Sequence, residues 1–259
     1  MSRIVKQITT LSLNIVRENM RNRAFIILFI SALILFVLSD ILGNMTVGDK
    51  KRVVQDMGFW LIGTWGLISS IFLGSHVIRQ EIAKKTIYII LSRPVSRTTF
   101  IFGKFCGIVL VMFILFGLLS SVFIAQMLLS GKTLTFSFLI ALFFVFSEWI
   151  VLAAFSILFA VFTSPLLHGF ILTAIFFLGH WSKYLYIYSV NTKEIILKKI
   201  LILLYYVVPN LEILNYRGPA LYNEIIEPSL MFKSILLSCS WSLTALLGAV
   251  LIFGARRLL

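Results

Sequence analysis

The chain has 259 residues, of which 60% are hydrophobic, 14% aromatic and 13% charged, about half the charged share of roughly 25% found in soluble globular chains. With a mean hydropathy of +1.03, so few charges cannot cover a water-facing surface, which excludes a soluble enzyme, a secreted disulfide scaffold and a disordered tail. The formal net charge of +13 would suggest nucleic acid in a soluble protein, but here Lys and Arg flank apolar runs and serve to orient the chain across a bilayer, so no nucleic-acid partner is expected.

The first 23 residues place Ile4, Ile8, Leu11 and Ile15 at helical spacing, with Arg3, Lys6, Gln7, Thr10, Asn14 and Arg17 elsewhere on the wheel. This predicts an amphipathic helix over 1–23, lying in the inner headgroup region; the alternative is an ordinary charged lead-in to the first span. The polar stretch ahead of the first apolar run does not fit a cleavable signal peptide. A crossing needs about 20 apolar residues, because every backbone amide must be paired within the helix where water is absent. Runs of that kind occupy 24–43, 57–78, 105–129 and 234–255. The stretch from Thr133 to Ser182 contains one charge, Glu148, and as a single helix would be about 75 Å long. It is expected to fold back at Thr163-Ser-Pro-Leu-Leu-His168, where proline disfavours helix at the preceding residue, giving spans 133–162 and 165–183. The expected fold class is all-α, a single polytopic membrane domain over 1–259 with six transmembrane helices.

Six crossings put both termini on one side. The N-terminal segment, the loop after span two and the C-terminal tail together carry 13 cations opposed only by Glu18 and Glu81, against ten cations and seven acids on the other side. Five of those ten fall in the long 184–233 segment, and Lys183 directly precedes it. Since the rule counts Lys and Arg in short loops near span ends, both termini are expected in the cytoplasm, and 184–233 outside it.

The segment from Arg79 to Arg97 is too polar at its start, and too short before Pro94, to cross. A short helix over 80–91 is expected along the membrane surface, ended by Ser92-Arg-Pro94, with Ser96 capping the next span. Glu81 and Lys85 stand at i and i+4, a local ion pair contributing about 0.2–0.5 kcal/mol. Composition leaves two roles open for this element, contact with anionic lipid or docking on a soluble partner.

Glu148 falls near the centre of its span, where a carboxylate costs roughly 2.5 kcal/mol or more. It is a candidate for the translocation path or a gate; the alternative is a structural carboxyl bonded to a neighbouring helix. Between 184 and 233 an apolar piece, Ile200 to Leu211, is too short to cross and is expected to dip into the outer leaflet among interfacial tyrosines. Gly103 and Gly107 form a G-x-x-x-G that permits close helix approach without naming the partner helix. Cys106 and Cys239 lie in apolar runs, and His76, His168 and His180 share no local metal spacing, so neither a disulfide framework nor a metal site is expected. No catalytic constellation is visible.

Glu81 followed by Lys85-Thr86-Ile87, then Ile90-Leu-Ser-Arg-Pro-Val-Ser-Arg97, and Phe100-Ile-Phe-Gly-Lys-Phe-Cys-Gly107 leading into a span together resemble the pattern of type-2 ATP-binding-cassette (ABC) transporter permeases. The basic stretch Arg17-Glu-Asn-Met-Arg-Asn-Arg23 and Val208-Pro-Asn-Leu-Glu-Ile-Leu-Asn215 are similar as well, so the likeness covers most of the chain; Lys85 departs from a position where many members carry glycine. The resemblance implies an exporter-type permease in the cell inner (cytoplasmic) membrane that pairs with a second copy, as a homodimer or alternatively a heterodimer, and binds two separate ABC ATPase subunits and membrane lipids. It implies a coupling helix at 80–91, with Glu81, Lys84, Lys85, Thr86, Arg93, Pro94 and Arg97 as its ATPase-coupling residues. The chain itself lacks a G-x-x-x-x-G-K-[S/T] phosphate loop, so no cofactor is expected on it, and ATP and Mg are expected on the partner. Two alternatives stand beside export: efflux or immunity against an amphipathic toxin or drug, and a non-transporting membrane anchor of a regulatory ATPase complex.

Overall fold

The computed structural model describes residues 3–45, 49–83, 96–131 and 133–255. Among the described residues the regular structure is all helical. The helices are α1 (Arg3–Met20), α2 (Arg23–Asn44), α3 (Lys50–Ala83), α4 (Arg97–Leu129), α5 (Phe136–Phe162), α6 (Pro165–His180), α7 (Ser182–Asn191), α8 (Ile195–Val207), α9 (Arg217–Tyr222) and α10 (Pro228–Ala255), with a 3₁₀ turn at Glu212–Leu214. Local chemistry sets several boundaries. Ser96 caps α4, its Oγ accepting the Thr99 N–H at 3.1 Å, and Ser164 caps α6 with Pro165 in its first turn. The chain therefore breaks at Thr163 and Ser164, where both residues are extended. Likewise α8 stops at Val207 because Pro209 holds Val208 extended.

Among the described residues four helices, α3 (over Lys50–His76), α4, α5 and α10, are long and apolar enough to cross a membrane, and a fifth span arises if α6 and α7, bent by 67° at Trp181, count as one. The apolar stretch described within α2 is Phe29–Ser39. One expectation needs correcting: no break separates span two from a new helix at Gln80. Helix α3 runs on through Gln80–Ala83, since nothing between Ser75 and Ala83 is a proline or glycine that would stop it. The remainder of the expected coupling helix, 84–91, lies outside the described residues.

Side-chain registers fix the directions of the helices. Phe59 meets Phe123 and Ser70 meets Met112, so α3 and α4 run antiparallel. Phe123 meets Phe138 and Phe116 meets Trp149, so α5 reverses α4. Ser156 meets His168 and Glu148 faces His180, so α6 reverses α5. Phe155 meets Trp241 while Leu158 lies against Gly248, making α10 parallel to α5. One end of the bundle thus gathers the start of α4 and the end of α10: Phe100 stacks on Phe253 with centroids 5.6 Å apart, and the Arg97 guanidinium donates to the Gly254 carbonyl. At the opposite end Lys51 Nζ donates to the Gly131 carbonyl (3.0 Å), Gln55 Nε2 to that of Ala220 (3.0 Å), and Ser137 Oγ to that of Glu224 (2.7 Å).

Helix α5 is the hub, packed by α3, α4, α6, α9 and α10. Its most apolar window is 78% buried, against 28% for that of α10, so α5 is a core helix and α10 a peripheral one. The close approach of α3 depends on two glycines: a methyl at Gly66 would collide with the Trp149 indole, and one at Gly74 with the Ser156 hydroxyl.

Helix α1 packs along the first half of α4. Ser12, Ile15 and Asn19 are buried there, whereas Ile4 is 57% exposed, so the covered stripe lies on Ile8, Leu11, Ile15 and the small or polar residues beside them. Gly103 and Gly107 form the groove that receives it: Leu11 and Ile15 fill the space a side chain would take, and Ser12 Oγ donates to the Gly103 carbonyl at 3.1 Å. The G-x-x-x-G therefore serves an intrachain contact. Replacing Gly107 with Leu is expected to overpack this seam, since Ile15 Cβ and the Ser12 backbone leave no room, at a cost of about 1–3 kcal/mol. A lowered melting midpoint in detergent would register it, with Gly117→Leu, which meets open space, unchanged.

Candidate functional site: a buried carboxylate between two helices and a cap

Of the residues expected to carry ATPase coupling, Lys84, Lys85, Thr86, Arg93 and Pro94 lie outside the described residues, as does the Glu81 side chain. Arg97 opens α4, and its bond to Gly254 ties α4 to the C-terminal end of α10. The described part of that region is thus a point where α1, α4 and α10 are joined.

Glu148 sits halfway along α5 and is 1% exposed. Its Oε1 faces His180 Nε2 at 3.6 Å and its Oε2 faces Arg217 Nη2 at 3.9 Å. Both separations exceed hydrogen-bonding distance; the Arg217 contact is one between charges, that to His180 only if the imidazole is protonated, and Glu148 Oε1, His180 Nε2 and Arg217 Nε and Nη2 have no hydrogen-bond partner. His180 ends α6, its ring tilted by 52° against that of Phe176 with centroids 4.6 Å apart, and its Nδ1 lies 2.9 Å from the Phe176 carbonyl. A carbonyl only accepts, which places a hydrogen on Nδ1 and turns Nε2 toward the carboxylate. The Arg217 guanidinium occupies space beside α3 that a side chain at position 63 would fill; Gly63 makes its position reachable.

Arg217 arrives from a distant segment through a built-up corner. The Leu211 N–H donates to the Gly179 carbonyl (3.1 Å), and Gly179 lets Pro209 and Leu211 lie against the end of α6. Asn210 Oδ1 accepts from Ser182 Oγ (2.6 Å) and from the Ile213 N–H (3.3 Å). Ser234 Oγ on α10 donates to the Ile213 carbonyl at 2.9 Å and pairs with Tyr216 Oη, also at 2.9 Å, while Tyr216 packs on Phe144 of α5 with centroids 4.3 Å apart. The 208–222 segment is a cap bolted to α5, α6 and α10, with Arg217 projecting inward from it. The hairpin of α7 and α8, joined by Tyr186 against Tyr205, stands beside it, and α8 buries none of its residues.

Glu148 is therefore one member of a cluster; His180 and Arg217 are partners that sequence reasoning missed. Nothing in linear spacing connects Arg217 to Glu148. The usable signal was energetic, since a carboxylate in a span demands a partner, and His180 is the titratable residue at the end of the next helix. Among the described residues no three His, Cys, Asp or Glu side chains converge as a metal site would require. His168 lies elsewhere, its Nε2 3.0 Å from the Ser156 hydroxyl.

Compared with known proteins, residues 17–180, more than half of the chain, match a family model described as an ABC-2 family transporter protein. The match takes in Glu148 and His180 and stops before Arg217. No curated protein matches the chain.

Removing one partner from a buried ion pair leaves the other charge uncompensated. Arg217→Met is expected to destabilise the fold by about 3–5 kcal/mol, and the double variant Glu148→Leu with Arg217→Met to recover part of that loss, both read from denaturation in detergent.

Proposed function

The chain belongs to the ABC-2 family of transporter proteins, and on that premise we propose that it is an exporter permease that works as a dimer and is driven by two separate cytoplasmic ABC ATPases. ATP and Mg bind those partner chains; this chain supplies the path and the moving helices. Both termini face the cytoplasm and the 208–222 cap lies on the far side of the cytoplasmic membrane. The observation that supports this best is the convergence of α1, the start of α4 and the end of α10 at one bundle end, with Arg97 and Phe100 of α4 on Gly254 and Phe253 of α10. The segment joining α3 to α4 emerges at that same end. A push on it acts directly on two helices packed against the α5 hub, which is how a bound motor could tilt the bundle. The Glu148 cluster then works as a gate, half a helix away from the pushed end and directly under the cap.

The coupling role rests on Glu81, Lys84, Lys85, Thr86, Arg93, Pro94 and Arg97. Charge reversal at Glu81 and Arg93 together is expected to weaken ATPase association by at least about tenfold, equivalent to 1.4 kcal/mol. Copurification from mild detergent measures it, and undiminished recovery of the ATPase would reject this segment as the docking element. For topology, a cysteine at Lys84 is expected to react with an impermeant maleimide only after permeabilisation, whereas one at Ile225, 97% exposed at the opposite end, reacts in intact cells. The reverse pattern would overturn the orientation.

A further inference from the structure

We propose that Glu148 and His180 form a binding site for a single exchangeable proton, and that its occupancy controls how firmly Arg217 latches the 208–222 cap onto the bundle core. Geometry carries the argument. With Nδ1–H committed to the Phe176 carbonyl at 2.9 Å, Nε2 is a bare acceptor in neutral imidazole and a donor only in imidazolium. It faces Glu148 Oε1 at 3.6 Å. An ionised carboxylate opposite a neutral imidazole sets two lone pairs against each other, and both atoms are without a hydrogen-bond partner. One proton placed on either atom turns the repelling pair into a donor and an acceptor, and the two placements are microstates of one titration.

The other oxygen of the same carboxyl holds the latch, facing Arg217 Nη2 at 3.9 Å. With the site empty, Glu148 is a full negative charge committed to Arg217, and the cap is held. A proton on the carboxyl cancels that charge; a proton on His180 leaves it shared between two cations. Either way the attraction for Arg217 falls, so acid loosens the latch and base tightens it. Among the described residues, the charged or titratable groups acting on Glu148 are His180 from α6, Arg217 from α9 and Glu212 from the 3₁₀ turn; the nearby position on α3 is Gly63, which brings no charge. Glu212 is held by the Asn215 amide at 3.2 Å. Glu148 Oε1 and His180 Nε2 are themselves buried, while the His180 and Arg217 side chains as wholes are 16% and 13% exposed.

This inference deepens the gate reading, yet its test needs neither ATPase nor transport. The full chain in lipid nanodiscs is titrated between about pH 8 and pH 5, the window in which imidazole changes charge. Proton uptake is expected to exceed that of Glu148→Gln and of His180→Gln by about one per chain. The ¹⁵N resonances of His180 in the unsubstituted chain should move over the same range with Nδ1 remaining protonated, a readout independent of whether either variant folds. In a background with Cys106 and Cys239 replaced by Ser, spin labels at Gly218 and Leu139 should separate or broaden in acid. Both variants should abolish that pH dependence. Uptake equal in all three chains, His180 resonances that do not titrate, or a label distance unchanged between the two pH limits would each overturn the proposal. A chain that failed to bind an ATPase but passed these measurements would refute the coupling reading and leave the proton site standing.

Discussion

Helix α5 is the most buried of the long apolar helices, with 78% of its apolar window covered, and the rest of the bundle is arranged to make that tolerable. Its core residues Trp149, Ile157, Phe144 and Leu152 are fully buried, and α3, α4, α6, α9 and α10 all pack on it. In lipid there is little hydrophobic gain from bringing two apolar helices together, so the contacts must come from close packing. Gly66 and Gly74 of α3 supply this by letting Trp149 and Ser156 approach the α3 backbone. The same device recurs where α1 meets Gly103 and Gly107 of α4, and where Pro209 and Leu211 meet Gly179 of α6. These five glycines mark seams between packed segments.

A mostly buried apolar hub is an adverse place for a carboxylate, and Glu148 is the one acid in α5. The fold meets that cost with two cationic or protonatable partners brought from separate elements. Because the contacts are longer than hydrogen bonds, the cluster is weaker than a locked salt bridge and its strength depends on where protons sit. An expensive charge is retained at the junction between core and cap.

The joined end of α4 and α10 and the Glu148 cluster stand at different levels of the same bundle. At one end Arg97, Phe100, Phe253 and Gly254 join α4 to α10, and α1 is clamped alongside. At the other, Ser234 near the start of α10 is bonded to Ile213 and Tyr216 of the cap. Helix α10 therefore connects the two ends directly, and its peripheral position leaves it freer to move than α5. A tilt of α10 would shift the cap, and with it Arg217, relative to Glu148.

Hydropathy and the need to pair every backbone amide in lipid were enough to read the all-helical class from the sequence, and proline geometry located the break at Thr163 and Ser164. Ser96 was legible as a cap for the same local reason, because its hydroxyl reaches only an amide three residues on. The residues from Glu81 to Gly107 were sufficient to suggest the permease family. What local pattern could not reach were contacts between segments far apart in sequence. Gly103 and Gly107 announced a close helix neighbour, yet only the packing chose α1. Glu148 announced a need for partners, yet His180 and Arg217 became those partners because α6 runs antiparallel to α5 and a corner built on Asn210 and Gly179 turns α9 inward. Local steric and solvation rules act over a few residues and are written in the chain itself; the neutralising of a buried charge is settled by whichever groups the finished fold brings within a few ångströms.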